Sequence, residues 1–423
     1  MTSSDAARFA RDPSATPPGS GRSTAQPTST QPPTSAPRLH HLDALRAGAL
    51  LLGIVLHSLL PFVPELPWLI EDARKTELAW PVVFWIHLFR MALFMMLAGY
   101  FGRLVLLRRG TRSYLRDRLV RIGLPFVAFW PFAVGTLGLL VYLGATWRGV
   151  TLPQAPPPPE GTPAALAAFP PGQLWFLVVL LQLVLVTVVV RAIALALFGP
   201  ARATRWAGAV GAVLARPAGL LLAALPYALA LVVQGTAIGG IIAPPTVLPE
   251  PVSLLAYGGA FAVGWFLQAN DGAIDRAGRR WGALLAVATA LSVAAFVFAS
   301  APVDQVWPAV LTGLAAWAWI YALLGVAARV ITRPVPWIRY LADASYWMYL
   351  VHLPLLVAIA IPLADLPWPI VVKLLLTWVV ATVVMLLSYD LMVRSTWIGA
   401  WLNGRRSPRV VRRAPDRSSS ARS

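Results

Sequence analysis

The sequence contains no cysteine among its 423 residues. This absence excludes disulfide bonds, a thiolate nucleophile and any metal site built on cysteine. The five histidines form no HxH or HxxxH pair, so we expect no metal site. Lysine is almost as scarce, since Lys75 and Lys373 are the only two, and arginine carries nearly all of the positive charge.

Charged residues of any kind are few. They make up 12% of the chain, about half the fraction found in soluble proteins, whereas 58% of the residues are hydrophobic. Several apolar runs approach the roughly 20 residues that span a bilayer. The composition therefore predicts a polytopic membrane protein. The net charge of +18 does not indicate nucleic-acid binding, because the basic residues lie in loops between apolar runs.

The two ends of the chain differ from its middle. Residues 1–37 are rich in Pro, Ser and Thr and predict a disordered tail, which lacks the apolar segment of a cleavable signal peptide. Residues 403–423 predict a second, basic disordered tail. Between them we expect one all-α transmembrane domain, residues 38–395, of about ten helices. The predicted helices lie near 43–63, 80–106, 119–144, 173–198, 207–234, 252–269, 281–300, 306–328, 341–363 and 369–392.

The arginines predict the orientation of these helices. If the N-terminus is cytoplasmic, every second loop lies in the cytoplasm, and those loops carry the arginine clusters. The loops on the other side carry mostly Asp and Glu. We therefore expect a multi-pass protein of the inner (plasma) membrane with both ends in the cytoplasm.

Two polar side chains, Arg46 and His57, interrupt the first apolar run. Eleven residues correspond to about three helical turns, so the two residues share one face at a separation of about 16 Å. Gly53 lies between them on that face and permits close approach of another chain or a ligand, and Asp43 is placed to pair with Arg46. This pattern predicts a shared polar groove. The alternative is that Arg46 anchors the helix at the interface and His57 is a packing residue.

The second run repeats the pattern with His87 and Arg90, three residues apart at a depth similar to that of His57. An arginine at this depth needs a partner or a watery cavity. The alternative for Arg90 is an interfacial position. Late in the chain, Tyr349 and His352 share a helix face, and the alternative for His352 is a structural role.

The cytoplasmic loop after the second run contains seven arginines between Arg103 and Arg121. Arg118 and Arg121 lie at the start of the third helix, and guanidinium groups suit phosphate oxygens. They predict a site for a phosphorylated donor. The alternative is a cluster that serves only topology and attraction to anionic lipid.

Several of these segments together resemble a known family. "LDALR" with the Arg46-x10-His57 spacing, "FRMALFMMLAGYF", "RLVRIGLPF", "LWFLVVLL" and "SYWMYLVHLP" follow one another in this order. The chain thus resembles the membrane-bound acyltransferase-3 family, nearest its glucan-modifying branch, which includes a periplasmic-glucan succinyltransferase. One departure is Gln173, where that branch usually has a histidine before "LWFL"; glutamine cannot titrate, so we assign it no acid–base role.

The resemblance implies an enzyme that moves an acetyl or succinyl group from cytoplasmic acyl-CoA to a hydroxyl of an envelope carbohydrate or glycolipid. Acyl-CoA would be a substrate, and no cofactor would be bound permanently. By resemblance, His57 is the catalytic histidine, Arg46 helps to hold the donor, and Arg118 and Arg121 meet the CoA phosphates. Arg90 or Tyr349 would stabilise the thioester oxygen. The remaining candidates for substrate binding are His87, His352 and Trp175, the last from "LWFL".

The alternative function is a multi-pass transporter or flippase of an envelope precursor. In that case Arg46, His57, His87 and His352 would line a substrate or proton path. The missing inverted repeat argues mildly against transport.

Overall fold

A computed structural model describes residues 40–153, 161–301 and 304–410 of the chain, and the regular structure within these ranges is helical. The helices are α1 His40–Leu59, α2 Ala79–Arg118, α3 Leu124–Arg148, α4 Ala164–Ala167, α5 Trp175–Leu214, α6 Gly219–Gln234, α7 Pro251–Gln268, α8 Ala273–Ala277, α9 Trp281–Ala299, α10 Val306–Val330, α11 Pro336–Leu363, α12 Ile370–Ser388 and α13 Trp397–Asn403. Short π-helical segments, Leu119–Gly123 and Tyr389–Arg394, join α2 to α3 and extend α12.

Seven helical segments in these ranges are long and apolar enough to cross a membrane. They are His40–Phe62, Ala79–Arg148, Gly172–Leu214, Trp281–Ala299, Val306–Val330, Pro336–Leu363 and Ile370–Arg394. The second of them contains both α2 and α3. The shorter apolar helix Gly219–Gln234 adds to them. The prediction of an all-α, multi-pass membrane protein is therefore confirmed.

Two long helices contain a break at a glycine. Gly110 in α2 has φ 76° and ψ 166°, and Gly199 in α5 has φ 71° and ψ 162°. This left-handed region carries little cost for glycine, because glycine has no Cβ. Arginines lie on both sides of Gly110 and follow Gly199, so each break turns the chain at the arginine-bearing end of an apolar run.

The fifth predicted helix, 207–234, differs from the structure. Residues 207–214 belong to α5, and α6 begins at Gly219 after a turn that contains Pro217. A Cβ on Gly219 would overlap the Val213 carbonyl and Leu214, so the turn is too tight for a larger residue. The turn falls where Arg216 and Pro217 interrupt the apolar pattern.

Helix α1, which carries Arg46 and His57, is surrounded by other helices. It packs against α2, α10, α11 and α12. Elsewhere α2 packs closely on α7, because glycines face backbone across the contact: a Cβ on Gly99 would overlap the Phe261 carbonyl, and one on Gly264 would overlap the Met96 carbonyl. Small residues that let helix backbones approach are typical of membrane helix pairs.

The N-terminal tail expected at 1–37 lies outside the described residues, and so does 411–423 of the expected C-terminal tail. Residues 404–410, which we expected to be disordered, contact the domain in the structure. Arg405 pairs with Asp343 at 2.6 Å, and the Val410 amide donates to Asp390 at 3.0 Å. This part of the tail therefore differs from the expectation, because charged groups on α11 and after α12 hold it.

Candidate active site

The face of α1 that carries Arg46 and His57 is the starting point of the site. At the first turns of the helix, Arg46 Nη2 donates to the Ala342 carbonyl of α11 at 3.2 Å and lies 3.3 Å from Asp43. The predicted pairing of Asp43 with Arg46 is thereby confirmed. One cavity borders Asp43 and another contains His57, so a cavity lies near each end of this face.

Arg90 of α2 lies against α1 at a position between these two ends. Its guanidinium lies directly on Gly53, where a Cβ would overlap Nη1 and lie 3.3 Å from Cζ. The space expected at Gly53 for another chain or a ligand is filled here by a side chain from the neighbouring helix. The buried Arg90 Nε has no hydrogen-bond partner among the described residues. Arg90 thus brings a positive charge and a free donor to the face of α1 one helical turn from His57.

His57 lies among rings from two other parts of the chain. Its imidazole stacks on Trp68 with 5.9 Å between ring centroids and 15° between the planes. The His352 ring of α11 lies 5.3 Å away at 44°. The buried Nδ1 of His57 has no hydrogen-bond partner within the described ranges. His57 and His352, 295 residues apart in sequence, therefore form a pair.

The tautomer of His352 follows from its hydrogen bond. Its Nδ1 lies 2.8 Å from the Tyr349 carbonyl, which can only accept, so Nδ1 carries the proton. In the neutral form of this ring, Nε2 is then the acceptor nitrogen. His352 is buried, so this arrangement holds a basic nitrogen beside His57.

Tyr349 and Gln173 tie α11 to the start of α5. Tyr349 Oη donates to the Gln173 carbonyl at 2.8 Å, and Gln173 Nε2 donates to the Leu350 carbonyl at 3.3 Å. The Tyr349 hydroxyl therefore already donates its proton to a hydrogen bond within the protein. Gln173, the departure from the histidine expected by resemblance, has a structural contact here.

Two predicted substrate-binding residues lie further from His57. Trp175 contacts Tyr257 with 5.5 Å between centroids, and Tyr257 is within electrostatic range of Arg90. His87 lies beside Gly240 of the segment after α6, where a Cβ would be 3.7 Å from its Nδ1. Neither residue has a ring contact with His57 among those described.

Comparison with known families matches residues 39–393 to the acyltransferase domain of the acyltransferase-3 family. The chain belongs to the acyltransferase-3 family. The resemblance inferred from the motifs is confirmed, and the match includes every described site residue discussed above.

Relatives of this acyltransferase include proteins named glucans biosynthesis protein C from Escherichia coli K12, Escherichia coli O1:K1 / APEC and Escherichia coli O139:H28. Each is 30% identical over 126 residues, which are 28% of this chain. The matched part spans 32% of the length of these relatives, or about a third. No solved structure matches the chain.

The arginine cluster of the acyltransferase is organised by a carboxylate that the sequence reading did not single out. Asp117 lies 3.2 Å from Arg121 Nε, 3.5 Å from Arg109 Nη1 and 3.8 Å from Arg118 Nε. Arg118 also lies over the Tyr114 ring at 5.3 Å. Three guanidinium groups share one carboxylate, so the cluster stays positive. The sequence signal for Asp117 was its position four residues before Arg121, because side chains four residues apart meet on one face of a helix.

Two more residues near His57 were missed. Lys373 of α12 and Asp72 of the loop after α1 form an ion pair in the same cavity as His57, with Nζ 2.8 Å from each carboxylate oxygen. From the sequence, Lys373 was noted only as one of the two lysines. The signal was a lone lysine inside the apolar run "IVVKLLLTW", since a buried charge requires a partner.

Proposed function

We propose that this protein is an O-acyltransferase of the inner membrane that moves an acyl group, acetyl or succinyl, from cytoplasmic acyl-CoA to a hydroxyl of an envelope carbohydrate such as a periplasmic glucan. The observation that carries the proposal is the convergence of His57, His352 and Arg90 on one face of α1. The acyltransferase domain supports the reaction class, and the name of the relatives supports a glucan acceptor.

The proposed topology is ten spans with both ends in the cytoplasm. Under this topology the Arg118 and Arg121 cluster and Arg46 lie toward the donor side, and His57 lies toward the outer side. The extended pantetheine arm of CoA would carry the thioester along α1 toward His57. The positive cluster around Asp117 would hold the phosphates through charge-assisted hydrogen bonds.

The chemistry assigned to His57 is general base catalysis. Its imidazole takes the proton of the acceptor hydroxyl while that oxygen attacks the thioester carbonyl. The tetrahedral intermediate collapses, the carbon–sulfur bond breaks, and the CoA thiolate receives the proton from the imidazolium. The products are the ester and free CoA, and His57 returns to its neutral form.

Arg90 is the better candidate for stabilising the developing oxyanion. Tyr349 Oη already donates to the Gln173 carbonyl, whereas Arg90 Nε has no partner within the described part of the chain. A preorganised donor aimed at the charge that develops lowers the barrier most effectively. His352 is assigned to hold the acceptor hydroxyl through Nε2, beside the base.

The test is acyl transfer by the purified protein in lipid nanodiscs, with acyl-CoA carrying a radiolabelled acyl group and a glucan acceptor. We expect His57→Ala to lower kcat by at least about 10²-fold, since a general base contributes roughly that much or more. His41→Gln is the control on the same helix, because His41 faces Asp275 and not the site. CoA release that persists in His57→Ala would contradict the proposal, as would glucan movement into vesicles without CoA release.

A further inference from the structure

The loop between α1 and α2, residues 63–78, lies over His57. It carries Trp68, whose ring stacks nearly parallel to the His57 imidazole. We propose that Trp68 is a positioning residue that orients the His57 imidazole, and that the buried Asp72–Lys373 ion pair holds the loop in the place where Trp68 can do so. This inference rests on the proposed role of His57 as the base.

The first argument concerns how His57 is oriented. A histidine that acts through one ring nitrogen is usually held by a hydrogen bond on the other. Here Nδ1 is buried and has no such partner in the described ranges. What contacts the ring is Trp68, nearly parallel at 15°, and His352, tilted at 44°. Stacking on the indole therefore takes the orienting role that a hydrogen bond has elsewhere.

The second argument concerns how the loop itself is held. Lys373 is 1% exposed and Asp72 4% exposed, and Nζ donates to both carboxylate oxygens at 2.8 Å. Backbone hydrogen bonds continue the attachment, from the Asp72 amide to the Pro61 carbonyl and from the Ala73 amide to the Ala364 carbonyl, both 3.0 Å. The loop is thus fastened to α12 and to the end of α11.

The third argument concerns the cost of this arrangement. Burying two charges is expensive, and an apolar pair of the same size would often be as stable. A buried ion pair does, however, define one geometry, because breaking it leaves an uncompensated charge. Asp72 lies four residues after Trp68, and both border the cavity of His57 together with Lys373. Fixing Asp72 therefore fixes the position of the indole against the imidazole.

The orienting role is tested by the kinetics of Trp68 variants under the same acyl-transfer assay. We expect Trp68→Ala to lower kcat by about 10²-fold with KM changed less than about threefold, since a displacement of about 1 Å can cost that much. Trp68→Phe keeps a flat ring and should restore most of the rate. The matched control is Trp368→Ala, because Trp368 is an exposed tryptophan in the turn between α11 and α12.

Three kinetic results would overturn this role. They are a kcat for Trp68→Ala within threefold of wild type, a change in KM alone, and equal losses in Trp68→Ala and Trp68→Phe. The proposed function fails separately, because in that case His57→Ala keeps its activity.

The fastening role is tested without any activity, by hydrogen–deuterium exchange of loop residues 63–78. We expect Lys373→Met to speed the exchange of the Asp72, Ala73 and Thr76 amides at least tenfold, whereas Lys75→Met should not. Lys75 is the matched control, because it forms an exposed pair with Glu71 in the same loop.

A single variant leaves a buried charge and can unfold the protein. The double variant Asp72→Asn with Lys373→Met removes both charges and should fold, with faster exchange of the same amides and a reduced kcat. Unchanged exchange in the folded double variant would overturn the fastening role.

Discussion

Gly53 shows how one missing side chain shapes the site. The Arg90 guanidinium lies where a Cβ at this position would stand. An arginine inside a membrane domain needs space and polar surroundings, and the flat surface at Gly53 provides the space on α1. The position of Arg90 relative to His57 therefore depends on a residue that takes no part in the chemistry.

Replacing this glycine should displace Arg90. We expect Gly53→Ala to lower kcat by about 10²-fold, the lower end of the loss seen when an oxyanion-stabilising donor is removed. The measurement is acyl transfer by the purified variant, with thermal unfolding to confirm that it folds.

A matched control exists for this variant. Gly135 of α3 has open space around it, so Gly135→Ala should leave kcat unchanged. Full activity in Gly53→Ala would show that Arg90 can move without consequence, and the role assigned to its guanidinium would be wrong.

At the scale of elements, Arg148 joins three segments of the chain near His57. Arg148, at the end of α3, donates to both Asp365 oxygens at 2.7 Å and to the Glu71 carbonyl at 2.9 Å. Asp365 lies in the turn between α11 and α12. The clasp thus joins α3, this turn and the loop that carries Trp68.

The hydrogen bonds from Arg148 hold the pKa of Asp365 below its ordinary value. A lowered carboxyl pKa stabilises the folded state above the ordinary value, near 4, and the effect is lost as the pH falls through the lowered one. We expect Asp365→Asn to lower the thermal midpoint at pH 7, and the difference from wild type to shrink as the pH falls below about 4. Because the Asp365 side chain is 59% exposed, the effect should be about 1 kcal/mol or less.

Glu77→Gln, an exposed acidic position in the loop that carries Trp68, is the control, and its difference from wild type should not depend on pH in this way. A difference between wild type and Asp365→Asn that stays constant from pH 7 to pH 3 would mean that the ion pair does not contribute through its charge.

At the scale of the whole molecule, the distribution of arginines and the central position of α1 belong together. Helix α1 contacts α2, α10, α11 and α12, so a span that carries polar groups is surrounded by protein. Polar groups in this setting avoid lipid. The arginine-rich loops then lie at the donor side of the proposed topology, and the clasp at Arg148 lies at the other side.

The proposed topology can be tested in a chain that has no cysteine, because a single introduced cysteine has no background. We expect a membrane-impermeant maleimide to label Glu77→Cys and Ser300→Cys in spheroplasts, but to label Ser113→Cys and Thr204→Cys only after lysis. These positions are exposed in the structure, so burial does not prevent the reaction. Labelling of Ser113→Cys in intact spheroplasts would show that the orientation is the opposite of the proposed one.

Much of the fold could be predicted from local pattern. The helical membrane class, most helix positions and the shared face of Arg46 and His57 follow from composition and the 3.6-residue period, which act within one helix. The order of the motifs indicated the family that the comparison confirms. The predicted helix 207–234 ran across the turn at Pro217, because apolar residues continue on both sides of Arg216 and Pro217.

The tertiary structure alone decided which side chains meet. Arg90 lies on Gly53, His352 beside His57, and Lys373 against Asp72 because separate helices pack together, and no local period records such contacts. The same reason explains why Trp68 was missed: its loop has no periodic pattern, and its position depends on attachments to α11 and α12. The sequence by itself determined the membrane class and the polar face of α1, and packing determined the partners that give that face its chemistry.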